Sequence, residues 1–409
     1  MFQTYKIAFR DLGRNRRRTF FSALAISVGL AALILLASVI KGEMGSAEES
    51  AILLQTGHLQ VRSASYDENK SSLKWEDLVQ NPDQIAAKIA ALPQVKAATP
   101  RLLASGFLSA GSESAGVRVI GIDPASSAND PYRQGMQSGS FLTPDDSGGV
   151  LIGQPAAEKL HLKAGDTVNL SVNTANGTVD EQKFTVRGIY ATGTNGFDNT
   201  TVFLPLAKAQ AITQTQNHAS MIFILLKDTA TTASVAAALK GTAAQAGLKV
   251  FTWQELNSLI VDFETTANSY IGIFYVIILA ITASVIINTM IMSVYERTRE
   301  IGILAAIGMR GGRIMNMFLA ESALLAVGGA VMGIALGILG VSLFNINGYY
   351  IGNMGITGML VSNIIRARLT SSNVISLTII TFITTILAGL YPAIMASRLQ
   401  PVEALRAEK

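Results

Sequence analysis

Cysteine is absent from this chain of 409 residues, and only three histidines occur in it. Without thiols the chain can form neither a disulfide nor a thiolate metal site. Charged residues make up 15% of the sequence, compared with about 25% in an ordinary soluble protein. Because 49% of the residues are hydrophobic, the composition excludes a disordered chain and argues against a single soluble domain. It indicates a membrane protein.

The sequence also lacks the motifs of several common enzyme classes. It contains no G-x-x-x-x-G-K-S/T phosphate loop, no G-x-S-x-G nucleophile elbow and no H-E-x-x-H zinc motif. His58, His161 and His218 are far apart along the chain, and paired carboxylates occur in polar stretches typical of solvated loops. We therefore expect no metal site, no bound cofactor and no enzymatic active site in this chain.

Four apolar runs are long enough to cross a bilayer, which takes about 20 residues. The predicted transmembrane spans are 19–40, 271–294, 315–344 and 374–396. The first run is longer than the apolar core of a secretory signal, about 7–15 residues, and no clear small-residue cleavage site follows it. A retained span is therefore favoured over a cleaved signal peptide.

Basic residues predict the orientation of these spans. They concentrate in 1–18, 295–314 and 397–409, whereas 345–373 contains only two. The positive-inside rule then places both termini and the 295–314 segment in the cytoplasm. The 41–270 segment has a net charge of −5 and the rest of the chain +9. The overall charge of +4 therefore belongs to the membrane flanks, and nucleic-acid binding is not expected.

The long segment 41–270, predicted to lie outside, has an α+β pattern. We expect mixed α/β parts at about 42–122 and 207–265, interrupted by a β-rich insertion at about 123–206. Within the insertion, Asn176-Gly177 is a strong hairpin signal between two alternating runs. The predicted fold class is thus four transmembrane helices plus a large extracytoplasmic α+β domain, with 345–373 as an outer loop.

Other local signals concern helix starts and packing. Asn81-Pro82 resembles a helix N-cap followed by Pro at the first helical position. In the third run, Gly329, Gly333 and Gly337 recur every four residues, a spacing that lets helices approach closely. We favour packing within one subunit over a dimer contact for this glycine stripe.

Glu321 lies about two turns inside the third run. An intramembrane carboxylate is costly and is a functional candidate by default. Water or Arg313 could satisfy it near the cytoplasmic end of the span. We favour a structural or coupling ion pair over a role in substrate or proton binding.

Two further segments have distinctive sequences. Residues 295–310 read YERTREIGILAAIGMR, a charged stretch that becomes amphipathic and that by composition alone fits an ordinary cytoplasmic loop. Residues 391–406 read YPAIMASRLQPVEALR, in which Pro401 could open a short helix. Together with AFRDLGRNRRRTF at 8–20, these segments resemble the FtsX-like ABC-transporter permeases. That superfamily includes macrolide-exporter and lipoprotein-releasing permeases.

The resemblance implies a permease that works as a homo- or heterodimer with a pair of ABC ATPase subunits. Since the chain begins with the family's amphipathic N-terminal helix, 1–18, we expect the ATPase to be another polypeptide that binds ATP and Mg²⁺. The 295–314 segment would be the coupling segment that docks on the ATPase, with 397–409 packed alongside as a cytoplasmic tail. The residues implied in coupling are Glu296, Arg297, Arg299, Glu300, Ile301, Gly302, Ile303, Leu304 and Gly308, and those in the tail are Arg398, Pro401, Glu403 and Arg406.

In this interpretation Arg297, Arg299 and Glu300 form ion pairs with the ATPase, and Ile301, Ile303 and Leu304 provide apolar anchoring. The mechanism would be mechanical: nucleotide-driven closure of the ATPase moves the spans and the external domain. The expected location is the bacterial cytoplasmic (inner) membrane.

The cargo stays open at this stage. Extraction of lipoprotein or another lipid-linked cargo from the outer leaflet is favoured, with a periplasmic carrier as a further partner. Efflux of a drug, peptide or glycolipid with a periplasmic adaptor is the first alternative. Force transmission to a cell-wall hydrolase is the second, and the size of the external domain argues against it.

Overall fold

A computed structural model describes residues 10, 13, 14, 16–67, 70–350 and 362–400. The chain divides into two compact units. The helical unit comprises Met1–Glu43, Glu264–Tyr349 and Ile365–Lys409, and the α/β unit comprises Met44–Phe263 and Tyr350–Ile364. The α/β unit is slightly shorter at each end than the predicted domain 41–270.

The helices are, in chain order, α1 Arg16–Ser50, α2 Pro82–Ala90, α3 Asp130–Gln134, α4 Gln154–Lys159, α5 Asn195–Asp198, α6 Leu206–Thr213, α7 Thr232–Gln245, α8 Trp253–Leu256, α9 Ser258–Glu296, α10 Thr298–Ala306, α11 Gly311–Asn347 and α12 Ser371–Ser397. A π-helical turn, Ala51–Thr56, follows α1 directly.

The strands are β1 Leu59–Ser63, β2 Val79–Gln80, β3 Val95–Ala110, β4 Glu113–Ile122, β5 Met136–Gly139, β6 Gly149–Gly153, β7 Thr167–Asn173, β8 Val179–Tyr190, β9 Thr201–Pro205, β10 His218–Ala219, β11 Met221–Leu226, β12 Leu248–Thr252, β13 Tyr349–Tyr350 and β14 Ile364–Ile365.

In the described part of the chain, four helices are long and apolar enough to cross a membrane: α1 with its π-helical turn, α9, α11 and α12. They contain the four apolar runs that the sequence identified, and each extends beyond its run. The extension is largest in the first of them, which continues to Thr56 rather than ending at 40, and α9 begins at Ser258 rather than at 271. The stretch 258–270 contains neither Pro nor Gly, so nothing in it ends the helix, although its charged residues end the hydropathy signal.

Close packing of α11 on α1 explains the glycine stripe of the helical unit. A Cβ atom at Gly329 would lie 2.6 Å from Cβ of Ile26, and one at Gly333 would lie 3.0 Å from Cβ of Leu30. Gly337 makes the same kind of approach to Ile34, at 3.0 Å. The stripe therefore packs two helices of one chain together, as favoured from the sequence.

The α/β unit is built on one large mixed sheet. Among the described residues its strands follow the order β12-β1-β11-β3-β4-β9-β6-β8-β5, and β7 pairs with both β3 and β8. The β4–β9 and β6–β8 pairs are parallel. Because β9 pairs with β4 and β7 with β3, the predicted β-rich insertion is hydrogen-bonded into the same sheet as the flanking parts.

The long strand β3 joins the two halves of this sheet. Its first part pairs with β11, and its second part pairs with β4 on one side and β7 on the other. Sequence patterning did not predict this strand, since its Ala-rich start and Pro100 lack the alternation typical of a strand. The predicted hairpin is present, with Asn173 opposite Val179 and Gly177 at φ +77°.

Helix α2 starts as expected at Pro82, but Asn81 does not cap it with its side chain. Asn81 has φ +48° and makes no side-chain hydrogen bond to the helix amides. Its Oδ1 instead accepts a hydrogen bond of 2.6 Å from Nδ2 of Asn217. The left-handed backbone turns the side chain towards another loop, so the expected cap interaction was wrong.

Candidate functional site

The segment between α9 and α11 forms a short helix with two different faces. Helix α10 covers Thr298–Ala306, and Gly308 at φ +98° allows the chain to turn before α11 begins at Gly311. Ile301 is 1% exposed and Gly302 is buried. Ile301 packs in a cluster with Val294, Ile314 and Phe318 and the partly buried Leu399.

The opposite side of this segment presents an exposed basic and apolar surface. Ile303 is 43% exposed and Ile307 is 79% exposed. Arg299 and Arg310 are exposed as well. The four-residue spacing of Arg299, Ile303 and Ile307 places them along one side of α10 and its C-terminal end, and Arg310 follows beyond the turn at Gly308. We call Arg299, Ile303, Ile307 and Arg310 the docking face.

The position of Ile301 corrects one sequence-based expectation. Ile301 belongs to the chain's own core and is not exposed to anchor another protein, and Leu304 is only half-exposed. Ile307, which is not among the residues expected from the sequence to take part in coupling, is the most exposed apolar residue of the docking face. Its position four residues after Ile303 is a helical repeat that could have identified it.

The charged residues of the segment form ion pairs within the chain. Arg18 pairs with Glu296 at 2.5 Å, and Arg14 pairs with Glu300 at 2.8 Å. Arg297 lies 3.3 Å from the second oxygen of Glu300. The side chain of Arg297 is only 12% exposed, so little of it is available for an ion pair with another protein. Of the three residues expected to form such pairs, Arg299 is the one on the exposed surface.

Glu321 lies beneath these pairs and is 2% exposed. Its two carboxylate oxygens lie 3.7 Å from Nη2 of Arg18 and 3.7 Å from Nη1 of Arg297. The partners that the structure gives it are therefore Arg18 and Arg297, rather than the Arg313 suggested by proximity in sequence. The expected structural pair is present, and we call Glu321 with Arg18 and Arg297 the buried ion triad.

The buried ion triad and the surface pairs connect four helical elements. Arg18 belongs to α1, Glu296 ends α9, Glu300 belongs to α10 and Glu321 to α11. The surface pair of Arg14 and Glu300 contributes little because both side chains are well exposed. Removing one partner of a buried pair costs much more, since it leaves an uncompensated charge. The triad therefore fixes α10 to the ends of the long helices.

Glu300 belongs to this network but lies outside the spans, and its pKa is shifted. Burial alone raises its pKa, but hydrogen bonds from Arg14 and Arg297 outweigh burial and hold the pKa below the ordinary 4.5. Glu300 is therefore ionised at neutral pH, which both arginine contacts require.

The remaining candidate residues are only partly described. Arg398 follows the end of α12 and is exposed, while the neighbouring Leu399 packs against the cluster that contains Ile301. Pro401, Glu403 and Arg406, like most of the predicted amphipathic helix 1–18, lie outside the described residues. Within the described residues, no group of three His, Asp or Glu side chains is placed to hold a metal ion.

Two family models match the chain, and together they cover most of it. The MacB-like periplasmic core domain matches residues 19–242, more than half of the chain. The FtsX-like permease C-terminal model matches residues 272–401, which include α10 and the docking face. The chain belongs to the FtsX-like ABC-transporter permeases. It is a multi-pass membrane protein with a large α/β domain between its first two spans.

Individual relatives of this FtsX-like permease differ in how much of their length it spans. It is 24% identical to the lipoprotein-releasing system transmembrane protein LolC of Neisseria meningitidis, over 98% of both chains. It is 28% identical to the macrolide export ATP-binding/permease protein MacB of Hyphomonas neptunium, over 99% of this chain and 61% of that protein. The chain thus spans about three fifths of the MacB relative and nearly all of LolC.

Among solved structures, the periplasmic region of MacB from Actinobacillus actinomycetemcomitans is similar to part of this permease. The match has a TM-score of 0.36 and 16% sequence identity, and it covers 51% of this chain and 97% of that one.

Proposed function

We propose that this chain is the permease subunit of an ATP-driven ABC transporter that moves lipoprotein or another lipid-linked cargo out of the outer leaflet. It couples ATP hydrolysis by a separate ABC ATPase to movement of its α/β unit. The permease acts as a dimer, with a second copy or a paralogue, in a bacterial inner membrane. The Glu296 end of its helices faces the cytoplasm, and the α/β unit lies outside, where a periplasmic carrier receives the cargo.

The docking face is the observation that carries this proposal. Its two isoleucines expose apolar surface that no described contact covers, and its two arginines flank them. Such a combination of apolar centre and arginine is typical of a protein-binding patch. The FtsX-like model that covers this segment supports the ATPase as the partner.

The buried ion triad supplies the mechanical part of the proposal. A push on α10 acts on Arg297, whose guanidinium faces Glu321 of α11, which in turn faces Arg18 of α1. The ends of α11 and α1 therefore move with α10 instead of sliding past it. No bond chemistry is required of this chain, since ATP is hydrolysed in the partner.

We favour lipid-linked cargo because of how much of their own length the relatives share with this chain. LolC and the similarly named LolE of Haemophilus influenzae align over 98% and 93% of their own lengths, whereas the MacB relative aligns over 61% of its length, and both Lol names describe lipoprotein-releasing systems. MacB proteins, named for macrolide export, also match, so a macrolide is the comparison cargo in the test.

The test is co-reconstitution of the full chain with its cognate ATPase in liposomes that carry a triacylated lipoprotein. We expect ATP-dependent release of the lipoprotein to a soluble carrier, and no ATP-dependent transport of a macrolide. Transport of the macrolide without release of lipoprotein would refute the proposed cargo.

Substitution of Ile307 tests the docking face. Ile307→Asp places a charge in the centre of the apolar patch, so ATPase affinity and stimulated ATP turnover should fall by about tenfold. Val179→Asp is the matched control, because Val179 is 66% exposed in the α/β unit. Equal ATPase binding by both variants would show that the docking face has another role.

A further inference from the structure

Arg101 is a fully buried cation in the α/β unit. It lies in β3 and is 1% exposed. Its Nη1 donates to the carbonyl oxygen of Leu54 at 3.3 Å, and its Nη2 donates to Oδ1 of Asn129 at 3.4 Å. The guanidinium carbon lies 3.5 Å from the ring centroid of Phe223. Among the described residues, its hydrogen bonds thus go to neutral oxygens and its plane contacts an aromatic face, rather than a carboxylate.

The partners of Arg101 are themselves held in place. Nδ2 of Asn129 donates to the carbonyl of Asp123 at 2.7 Å, which leaves Oδ1 to face the arginine. The hydroxyl of Tyr132 donates to the carbonyl of Leu54 at 2.7 Å. Both lone pairs of that carbonyl are therefore used, one by Arg101 and one by Tyr132.

Leu54 belongs to the π-helical turn that continues the first spanning helix. The amide of Gly57 donates to Ile52 in the π pattern, and the amide of His58 then donates to Ile224 of the sheet. The turn is thus the last helical element before the chain enters β1. Single π-helical turns are frequently found at functional sites.

A second contact fixes the same turn to the start of the second spanning helix. Nδ2 of Asn257, which immediately precedes α9, donates to Oγ1 of Thr56 at 3.3 Å. The end of α1 and the start of α9 are therefore fixed at one place in the α/β unit. Arg101 and Tyr132 hold one side of this place, and Asn257 holds the other.

The sheet surface at this place is unusually polar. The strand register sets Gln60 opposite Phe223 and Phe223 opposite Thr99, so the three residues form one row next to Arg101. Gln60 is 0% exposed and Thr99 is 2% exposed. Apolar residues at such buried positions would often make a protein more stable, and buried polar groups are retained in some proteins because they fix one arrangement of the packed elements.

We propose that Arg101 is a positioning residue that locks the end of the first spanning helix onto the sheet, so that movement of this helix moves the whole α/β unit. The role of this lock in transport rests on the proposed function, but whether the lock exists can be tested without any cargo or ATPase.

The absence of cysteine makes a direct test possible. Spin labels on Glu49→Cys and Lys88→Cys report the distance between the end of α1 and α2, because both positions are exposed and both belong to the α/β unit. In the full chain in detergent, we expect a narrow distance distribution. Arg101→Met should broaden it by about twofold, because the released turn samples more than one position.

Controls separate loss of the lock from loss of folding. Arg187→Met is the matched arginine substitution, since the side chain of Arg187 is 48% exposed and its ion-pair partner is Asp146; it should leave the distribution narrow. Tyr132→Phe removes only the hydroxyl bond to Leu54 and should broaden the distribution less than Arg101→Met. If Arg101→Met fails to fold, the width of the distance distribution in Tyr132→Phe decides whether the lock exists. Wild-type widths in every Arg101 and Tyr132 variant that folds would overturn the proposal.

The functional consequence has its own measurement. In liposomes with the cognate ATPase, Arg101→Met should keep ATP turnover within about twofold while lipoprotein release falls by about tenfold. Unchanged release would contradict the positioning role. If the wild type itself releases no lipoprotein, the proposed cargo fails, and the spin-label distances still decide whether the lock exists.

Discussion

The two units accommodate a buried charge in different ways. In the helical unit, the carboxylate of Glu321 faces two arginines, one from α1 and one from just before α10. In the α/β unit, the guanidinium of Arg101 is held by a backbone carbonyl, an amide oxygen and aromatic faces. The helical unit pairs its buried charge with charges of opposite sign, whereas the α/β unit surrounds its buried charge with neutral groups.

The backbone explains this difference. Inside long helices the carbonyl and amide groups are already used by the helix, so a buried carboxylate must find side chains of opposite charge. The π-helical turn ends against the sheet and leaves the carbonyl of Leu54 available to outside donors. The guanidinium of Arg101 then finds partners for Nη1 and Nη2 without an anion, although its buried Nε has no hydrogen-bond partner among the described residues. Each buried charge thus holds together the elements whose groups satisfy it.

The largest effect should follow from removing Glu321. Glu321→Leu leaves Arg18 and Arg297 facing each other, so we expect a loss of stability of about 3–5 kcal/mol. Helical circular dichroism during denaturant unfolding of the full chain in detergent measures it. Glu264→Leu is the control, because Glu264 is 45% exposed and lies 4.0 Å from Lys41, and it should cost less than about 1 kcal/mol. Equal stability of the two variants would show that the helical unit does not depend on pairing its buried charge with charges of opposite sign.

Asp198 provides a second buried charge in the α/β unit. It is 1% exposed and accepts hydrogen bonds from the amide and hydroxyl of Thr192 at 2.8 and 2.7 Å. Burial raises its pKa from 3.8 to about 6, although the bonds from Thr192 oppose the shift. Because the folded-state pKa is the higher one, the stabilisation is complete below about pH 4 and is lost as pH rises through 6.

We therefore expect the α/β unit to lose about 2 kcal/mol of stability between pH 4 and 7, and Asp198→Asn to flatten this dependence. Both tryptophans of the chain, Trp75 and Trp253, lie in the α/β unit. Tryptophan fluorescence of the full chain therefore follows this unit during unfolding. A pH profile that is equally steep in Asp198→Asn would assign the dependence to other groups.

A substitution in the glycine stripe should have a smaller effect on stability. Gly329→Ala puts a Cβ atom 2.6 Å from that of Ile26, so we expect a cost of about 1–2 kcal/mol from overpacking. The neighbouring Gly328 has no atom within 4 Å of the same position, and Gly328→Ala should be neutral or slightly stabilising. Thermal unfolding followed by helical circular dichroism compares them. A stabilising effect of both substitutions would show that α1 and α11 can separate without cost.

Local signals in the sequence predicted the helices and strands that have a strong local pattern, such as a long apolar run or a turn dipeptide. The four spans follow from hydropathy, and the β7–β8 hairpin follows from Asn176-Gly177. The strand β3 could not be predicted, because its Ala-Ala-Thr-Pro start has no strand pattern and its pairing partners are distant in sequence. The wrong partner for Glu321 has the same origin, since Arg313 is eight residues away and Arg18 is 303 residues away.

The sequence by itself determined the class of the protein, its spans, its charge asymmetry and its resemblance to a permease family. These properties depend on composition and on short motifs, which need no knowledge of distant contacts. Only the tertiary structure decided that Ile301 is core while Ile307 is exposed, that Glu321 faces Arg18 and Arg297, and that Arg101 holds the end of the first helix. Such properties depend on which distant segments meet, and burial and pairing exist only once they do.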